Sequence, residues 1–143
     1  MSHYQKIFLF LLRISLGWLF FYAGITKVIN PNWSAAGYLG NAKTFSGLFS
    51  WFAQPGNIGW VSFLAEWGLV LVGVSLIAGF LVRWSSLGGI LLMILFYLPI
   101  LAFPIVGEHS YIVDEHIIYI FVFAVLALFN AGVYWGLDRI WKK

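Results

Sequence analysis

The chain has 143 residues, of which 62% are hydrophobic, 20% aromatic and 9% charged, and its mean hydropathy is +0.93. A soluble domain carries about 25% charged residues, so the composition excludes a water-soluble globular protein and points to an integral membrane protein. Cysteine is absent, which removes disulfides, thiolate metal sites, iron–sulfur clusters and CxxC redox chemistry. The net charge of +3 comes from basic residues scattered at helix ends, a pattern of membrane topology rather than of a nucleic-acid surface.

A helix needs about 20 apolar residues to cross a hydrocarbon core of ~30 Å. Four stretches qualify, near 7–28, 58–82, 87–106 and 112–137. The first is interrupted by Arg13 and lacks a following A-x-A cleavage pattern, so it reads as a retained anchor rather than a signal peptide. Helical spacing places Arg13, Gly17, Phe20, Gly24 and Lys27 on one face of it. Glycines there permit close helix approach, so that face is expected to meet protein. The loop 29–57 is rich in aromatics, among them Trp33, Tyr38, Phe45, Phe49, Trp51 and Phe52. Such rings favour the headgroup region, and short interfacial helices capping the outer face are expected.

The second span puts Ser62, Glu66 and Gly73 on one face. In the third, Pro99 and Pro104 predict a kink or an end, because each removes a backbone hydrogen bond. The fourth aligns His116, Phe123, Ala127, Asn130 and Tyr134, with Asp114 and Glu115 at its start, where negative charge offsets the helix dipole. The expected architecture is all-α: one transmembrane four-helix bundle over 1–143. Lys6, Arg83, Arg139, Lys142 and Lys143 fall on one side, against Lys27 and Lys43 on the other, which predicts both termini in the cytoplasm.

Ionisable groups inside spans cost roughly 2.5–3.5 kcal/mol and face a partner or a cavity by default. Depth estimates give two polar levels. The outer gathers Lys27, Glu66, Asp114, Glu115, His116 and Tyr119; the inner holds Arg13, expected to meet Asn130 or to reach up to Glu66. Arg13 with Glu66 reads either as an ion pair locking the bundle or as part of a proton-exchange site, since burial favours the neutral carboxyl and a nearby cation the charged one. Lys27 alone reads as a snorkelling helix-end residue. His116, expected one turn inside the membrane beside two carboxylates, is a candidate proton acceptor or anion ligand. A metal is not expected, because Asp114, Glu115 and His116 point in different directions from one helix. Nor is a two-histidine haem, since His3 is terminal and His109 lies in a loop.

Three segments carry a family resemblance: RISLGWLFFYAGITKVINP from Arg13, FLAEWGLVLVGVSLIAGFLVRWSS around Glu66 and Arg83, and DEHIIYIFVFAVLALFNAGVYWGLD from Asp114. Together they cover nearly all of the chain, which resembles the DoxX/DoxD family of small four-helix membrane proteins, including a subunit of thiosulfate:quinone oxidoreductase. The resemblance implies a prokaryotic inner-membrane protein that oxidises a small sulfur anion at the outer face and passes electrons to quinone. It also implies a DoxA-like partner subunit; membrane lipid and, from the residues alone, a second copy of the chain in a homo-oligomer are the other expected partners. On that reading Lys27, protonated His116 and Arg13 hold the anion through charge-assisted hydrogen bonds, while Glu66 or Asp114 relays protons. The quinone ring would sit among Trp18, Tyr22, Trp67 and Tyr119, with apolar walls and few polar groups. Two alternatives stand beside it: a non-catalytic scaffold anchoring a redox or stress-response enzyme, and a small proton or solute carrier.

Overall fold

A computed structural model describes residues 1–141; Lys142 and Lys143, used above to orient the chain, lie outside the described residues. The elements in order are α1 (His3–Val28), α2 (Ala36–Gly40), α3 (Ser46–Phe52), α4 (Ile58–Ala78), α5 (Val82–Ile100), the short strands β1 (Leu101–Ala102), β2 (Ile105–Val106) and β3 (Ser110–Tyr111), α6 (Glu115–Leu128), a 3-10 turn (Ala131–Val133) and α7 (Asp138–Trp141). Three helices, α1, α4 and α5, are long and apolar enough to cross a membrane, and α6 is a shorter apolar helix. Phe8, Trp18, Leu71, Leu91 and Phe121 are exposed on their outer surfaces. So large an apolar exterior suits hydrocarbon, not water, and marks a multi-pass membrane protein.

The start of α1 is fixed by a capping box in which Ser2 accepts from the Gln5 amide while the Gln5 side chain accepts from the Ser2 amide. Such reciprocal capping satisfies two donors that a helix start otherwise leaves open. The glycine face of α1 then packs on α4 at backbone distance. A methyl placed on Gly24 would lie 2.6 Å from the Val70 nitrogen, and one on Gly73 would collide with the Phe21 backbone. At its far end α4 closes with Gly79 in the left-handed region, and the Phe80 amide donates to the Ser75 carbonyl at 3.0 Å. That is the glycine-terminated stop expected where a helix must reverse quickly.

Two spans depart from their expected limits. The third begins at Val82 rather than 87, because the Asp138 carboxylate accepts from the Leu81 and Val82 amides at 2.7 and 3.0 Å and caps it from across the chain. It ends at Ile100, directly after Pro99, and Pro104 lies in the turn between β1 and β2 rather than in a helix. Ile105 and Val106 therefore form the middle strand of an antiparallel meander. The fourth span, expected to reach 137, stops at Leu128. Asn130 takes a left-handed conformation, φ 49°, which breaks the ladder. Asn130 and Tyr134 thus leave the helical face on which spacing had aligned them.

In the interior, α1 packs on α4, α5 on α6, and α4 on α5. Their shared core includes Phe20, Leu76, Met93, Phe123 and Leu126, with Phe20 set edge-on to Tyr119 and Phe123. Over one end lies the expected aromatic cap. Ala35, Leu39 and Phe49 of the cap form a second small core with Trp33, Phe52, Val61 and Leu98 around it. The cap is tied down by polar bonds: the Ala35 amide donates to the Ser62 hydroxyl at 3.1 Å, the Lys43 amide to the Pro99 carbonyl at 2.8 Å and the Thr44 hydroxyl to the Leu101 carbonyl at 2.5 Å. Two of these occupy carbonyls at the end of α5, where a helix has no internal donors left to offer.

Candidate functional site

Beneath the cap, among α1, α4, α5 and α6, lies a cavity of ≈ 980 Å³. Its walls are mostly apolar, and its ionisable groups, Lys27, Glu115, His116, Tyr38 and Tyr119, gather near the capped end. Lys27 ends the α1 stripe that begins with Leu19 and Ala23. Its Nζ donates to the Ala23 carbonyl at 2.9 Å and stands 5.7 Å from the centre of the Trp33 ring. Among the described residues no carboxylate pairs with it. An ammonium carries three donors, so one carbonyl bond leaves two N–H groups for another acceptor.

His116 is held from one side. The Asp114 carboxylate caps α6, accepting from the His116 and Ile117 amides at 3.0 and 3.4 Å, and its second oxygen meets His116 Nδ1 at 2.6 Å. A carboxylate only accepts, so Nδ1 carries the proton and Nε2 is the nitrogen open to other partners. The two side chains are 15% and 9% exposed. Since α6 begins at Glu115, His116 stands at the helix mouth rather than one turn inside. Tyr38, on the cap, donates its phenol hydrogen to the Phe96 carbonyl. Its phenol pKa is pushed up to about 12, first by loss of water around it and then by the charges of Asp114 and Glu115.

The residues singled out in sequence are distributed unequally. Lys27, His116 and Tyr119 share the cavity; Asp114 stands behind His116, and Glu115, also at the mouth, is exposed. Glu66 is partly exposed, does not line the cavity and makes no ion pair with Arg13 among the described residues. Its backbone carbonyl packs against Gly24. Trp18, Tyr22 and Trp67 face outward, 59%, 60% and 37% exposed, and only Tyr119 of the four expected ring contacts reaches the cavity.

Arg13 belongs to the opposite end. It is fully buried, and its guanidinium donates to the carbonyls of Ala131, Tyr134 and Trp135 at 2.9, 3.3 and 3.3 Å. Neither the Glu66 pairing nor a place in the outer site survives. The cation instead fastens the segment after α6, which turns under the α4–α5 connection, where the Asp138 amide donates to the Gly79 carbonyl at 2.8 Å. Asp138 was not singled out in sequence. One acidic residue beside Arg139 carries no sign of its long-range capping role. Trp33, Tyr38 and Trp60 also line the cavity; composition placed the first two at the interface but not toward a site.

A family model described as DoxX matches residues 8–101. The chain belongs to the DoxX family. The match spans α1 through α5 and so includes Arg13, Lys27 and Glu66, while Asp114, His116 and Tyr119 lie beyond it. No curated protein and no solved structure matches the chain.

Proposed function

We propose that this DoxX protein is the membrane subunit of a quinone-linked oxidoreductase, with the cavity under the cap as the acceptor site and the capped end facing out of the cytoplasm. The observation that carries the reading is an apolar cavity of ≈ 980 Å³ with Lys27 and the Asp114–His116 pair at its polar end. Quinone sites need apolar walls for the ring and a few donors for its oxygens. A bound quinone supplies acceptance of two electrons and two protons. Lys27 would hold a quinone oxygen through its spare N–H groups and favour negative charge there. Once protonated at Nε2, His116 would pass that proton to the quinone oxygen, while Asp114 holds the ring through Nδ1. Exposed Glu115 at the mouth connects that pair to water.

The family resemblance supplies the electron donor: a small reduced sulfur anion such as thiosulfate, arriving at the outer face with a DoxA-like partner subunit. In balance, two thiosulfates join through a new S–S bond and release two electrons, which reduce the quinone together with two protons. In this reading Glu66 takes no part. Bilayer-embedded protein given thiosulfate and a decyl-substituted benzoquinone should reduce the quinone, His116→Ala should lower the rate by about 10²-fold, as loss of an acid–base group does, and Glu66→Gln should leave it unchanged. A full rate in His116→Ala refutes the assignment.

A further inference from the structure

The cavity is two-sided. Its ionisable wall residues outside the cap, Lys27, Glu115, His116 and Tyr119, come from α1 and α6, whereas α4 and α5 contribute only aliphatic, methionine and aromatic side chains. Three of the latter, Trp60, Leu64 and Leu95, line the cavity and are yet 45%, 57% and 41% exposed. Leu19 of α1 and Tyr38 of the cap are exposed wall residues too, 42% and 38%, but Leu64 and Leu95 are the pair that sits on two helices in contact. The helices α4 and α5 touch at Gly68, where the Leu92 methyl lies 3.2 Å from the position a Cβ would take. Leu64 and Leu95 each stand one turn nearer the capped end than that contact, so they flank a gap just above it. Leu64 lies roughly 9 Å along α4 from its first residue, a depth that belongs to hydrocarbon. Above the gap the cap is bonded to the end of α5 through Tyr38, Lys43 and Thr44, which covers that side and leaves exposed Glu115, at the start of α6, as the polar mouth.

We infer that the cavity fills from within the bilayer, through the α4–α5 gap, and that its ligand is an amphiphile whose apolar tail runs out between Leu64 and Leu95 while its polar head lies by Lys27 and His116. The volume supports a ligand larger than one ring, since ≈ 980 Å³ stands at the upper end of the roughly 300–1,000 Å³ typical of drug-sized ligands. The inference deepens the acceptor-site reading and rests on it for the head group alone; the tail is tested separately.

The absence of cysteine makes the test direct. Leu95→Cys carries the single thiol, which a bulky methanethiosulfonate blocks and a reductant, then desalted away, restores in the same folded molecules. Binding is read as quenching of Trp33 and Trp60 in the cavity wall, assigned with the Trp33→Phe and Trp60→Phe variants. Blocking residue 95 should weaken a decyl-benzoquinone at least tenfold, reversibly, and the same label on Phe121→Cys, on the outer surface of α6, should not. Unchanged decyl-quinone binding with the label at 95 overturns the lateral route and leaves the acceptor site standing. If no quinone binds but a brominated fatty acid quenches the same tryptophans and the label at 95 blocks it, the route holds and the quinone reading falls.

Discussion

Replacing Arg13 with methionine tests how the end opposite the cap is held. Methionine keeps the length of the side chain and much of its apolar stem, so the loss is confined to the guanidinium and its three bonds to the carbonyls of Ala131, Tyr134 and Trp135. A hydrogen bond from a charged donor contributes about 1.5–3 kcal/mol, and an acceptor left buried and unmatched costs about 1–3 kcal/mol. Three such terms are not additive, and removing a buried cation also lifts its desolvation cost. The net expected is therefore about 3 kcal/mol. At about 2–4 °C per kcal/mol for a chain of this size, Tm in detergent should fall on the order of 10 °C. Location matters more than size. Hydrogen exchange should show 131–141 losing protection first, because Arg13 ties that segment to α1, while α4 retains its protection. An Arg13→Met protein with unchanged Tm and a fully protected C-terminal segment refutes the account of this end.

Other consequences follow from the same geometry. Asp114→Asn keeps a good helix cap, so stability should change by only a few tenths of a kcal/mol, but an amide can present its NH2 as well as its oxygen to Nδ1 and no longer fixes the His116 ring with that nitrogen protonated. Quinone reduction should fall about 10²-fold, and equal rates would show that the pairing has no part in proton delivery. Gly24→Leu forces a side chain into the Val70 backbone, and overpacking of this kind costs about 1–3 kcal/mol or more; thermal unfolding should register it, and a wild-type Tm would deny the close α1–α4 approach. For Tyr38 the folded pKa is raised, so its contribution to stability is complete below the ordinary tyrosine value near 10 and is lost as pH rises to about 12. A titration at 295 nm should show one phenolate fewer forming near pH 12 in Tyr38→Phe, whereas a missing phenolate near 10 would contradict the predicted shift.

The parts of the fold visible in sequence were those written as apolar length and period. Composition alone gave the membrane class, and the spacing of Arg13, Gly17, Phe20 and Gly24 gave the buried face of α1, all four of which are buried. The aromatic loop announced the interfacial cap. Hydropathy could not show where α5 and α6 stop, because Leu101–Val106 and Ala131–Leu137 stay apolar beyond the helix ends. The local signals were present in Pro99 and in the Asn130 to Gly132 run, and they outrank hydropathy because they act on the backbone itself. Polar convergence was legible to within a helix but not to a partner. Lys27 and His116 do share a cavity, yet Glu66 faces elsewhere. One residue on an α-helix turns a side chain by about 100°, enough to move a carboxylate from wall to seam. Arg13 donates to backbone carbonyls, and the acid whose charge it feels is Asp138 rather than Glu66; those partners exist only once the segment after α6 has folded under the bundle.

On the reading proposed above, the apolar cavity with Lys27 and His116 at its polar end binds a quinone. The most direct test is equilibrium quenching of Trp33 and Trp60 by decyl-benzoquinone in bilayer-embedded protein, compared between wild type, Lys27→Met and the outward-facing Trp18→Phe. The account predicts saturable quenching that weakens about tenfold in Lys27→Met and is unchanged in Trp18→Phe. Quenching that rises linearly without saturation, or that is indifferent to Lys27, would contradict it.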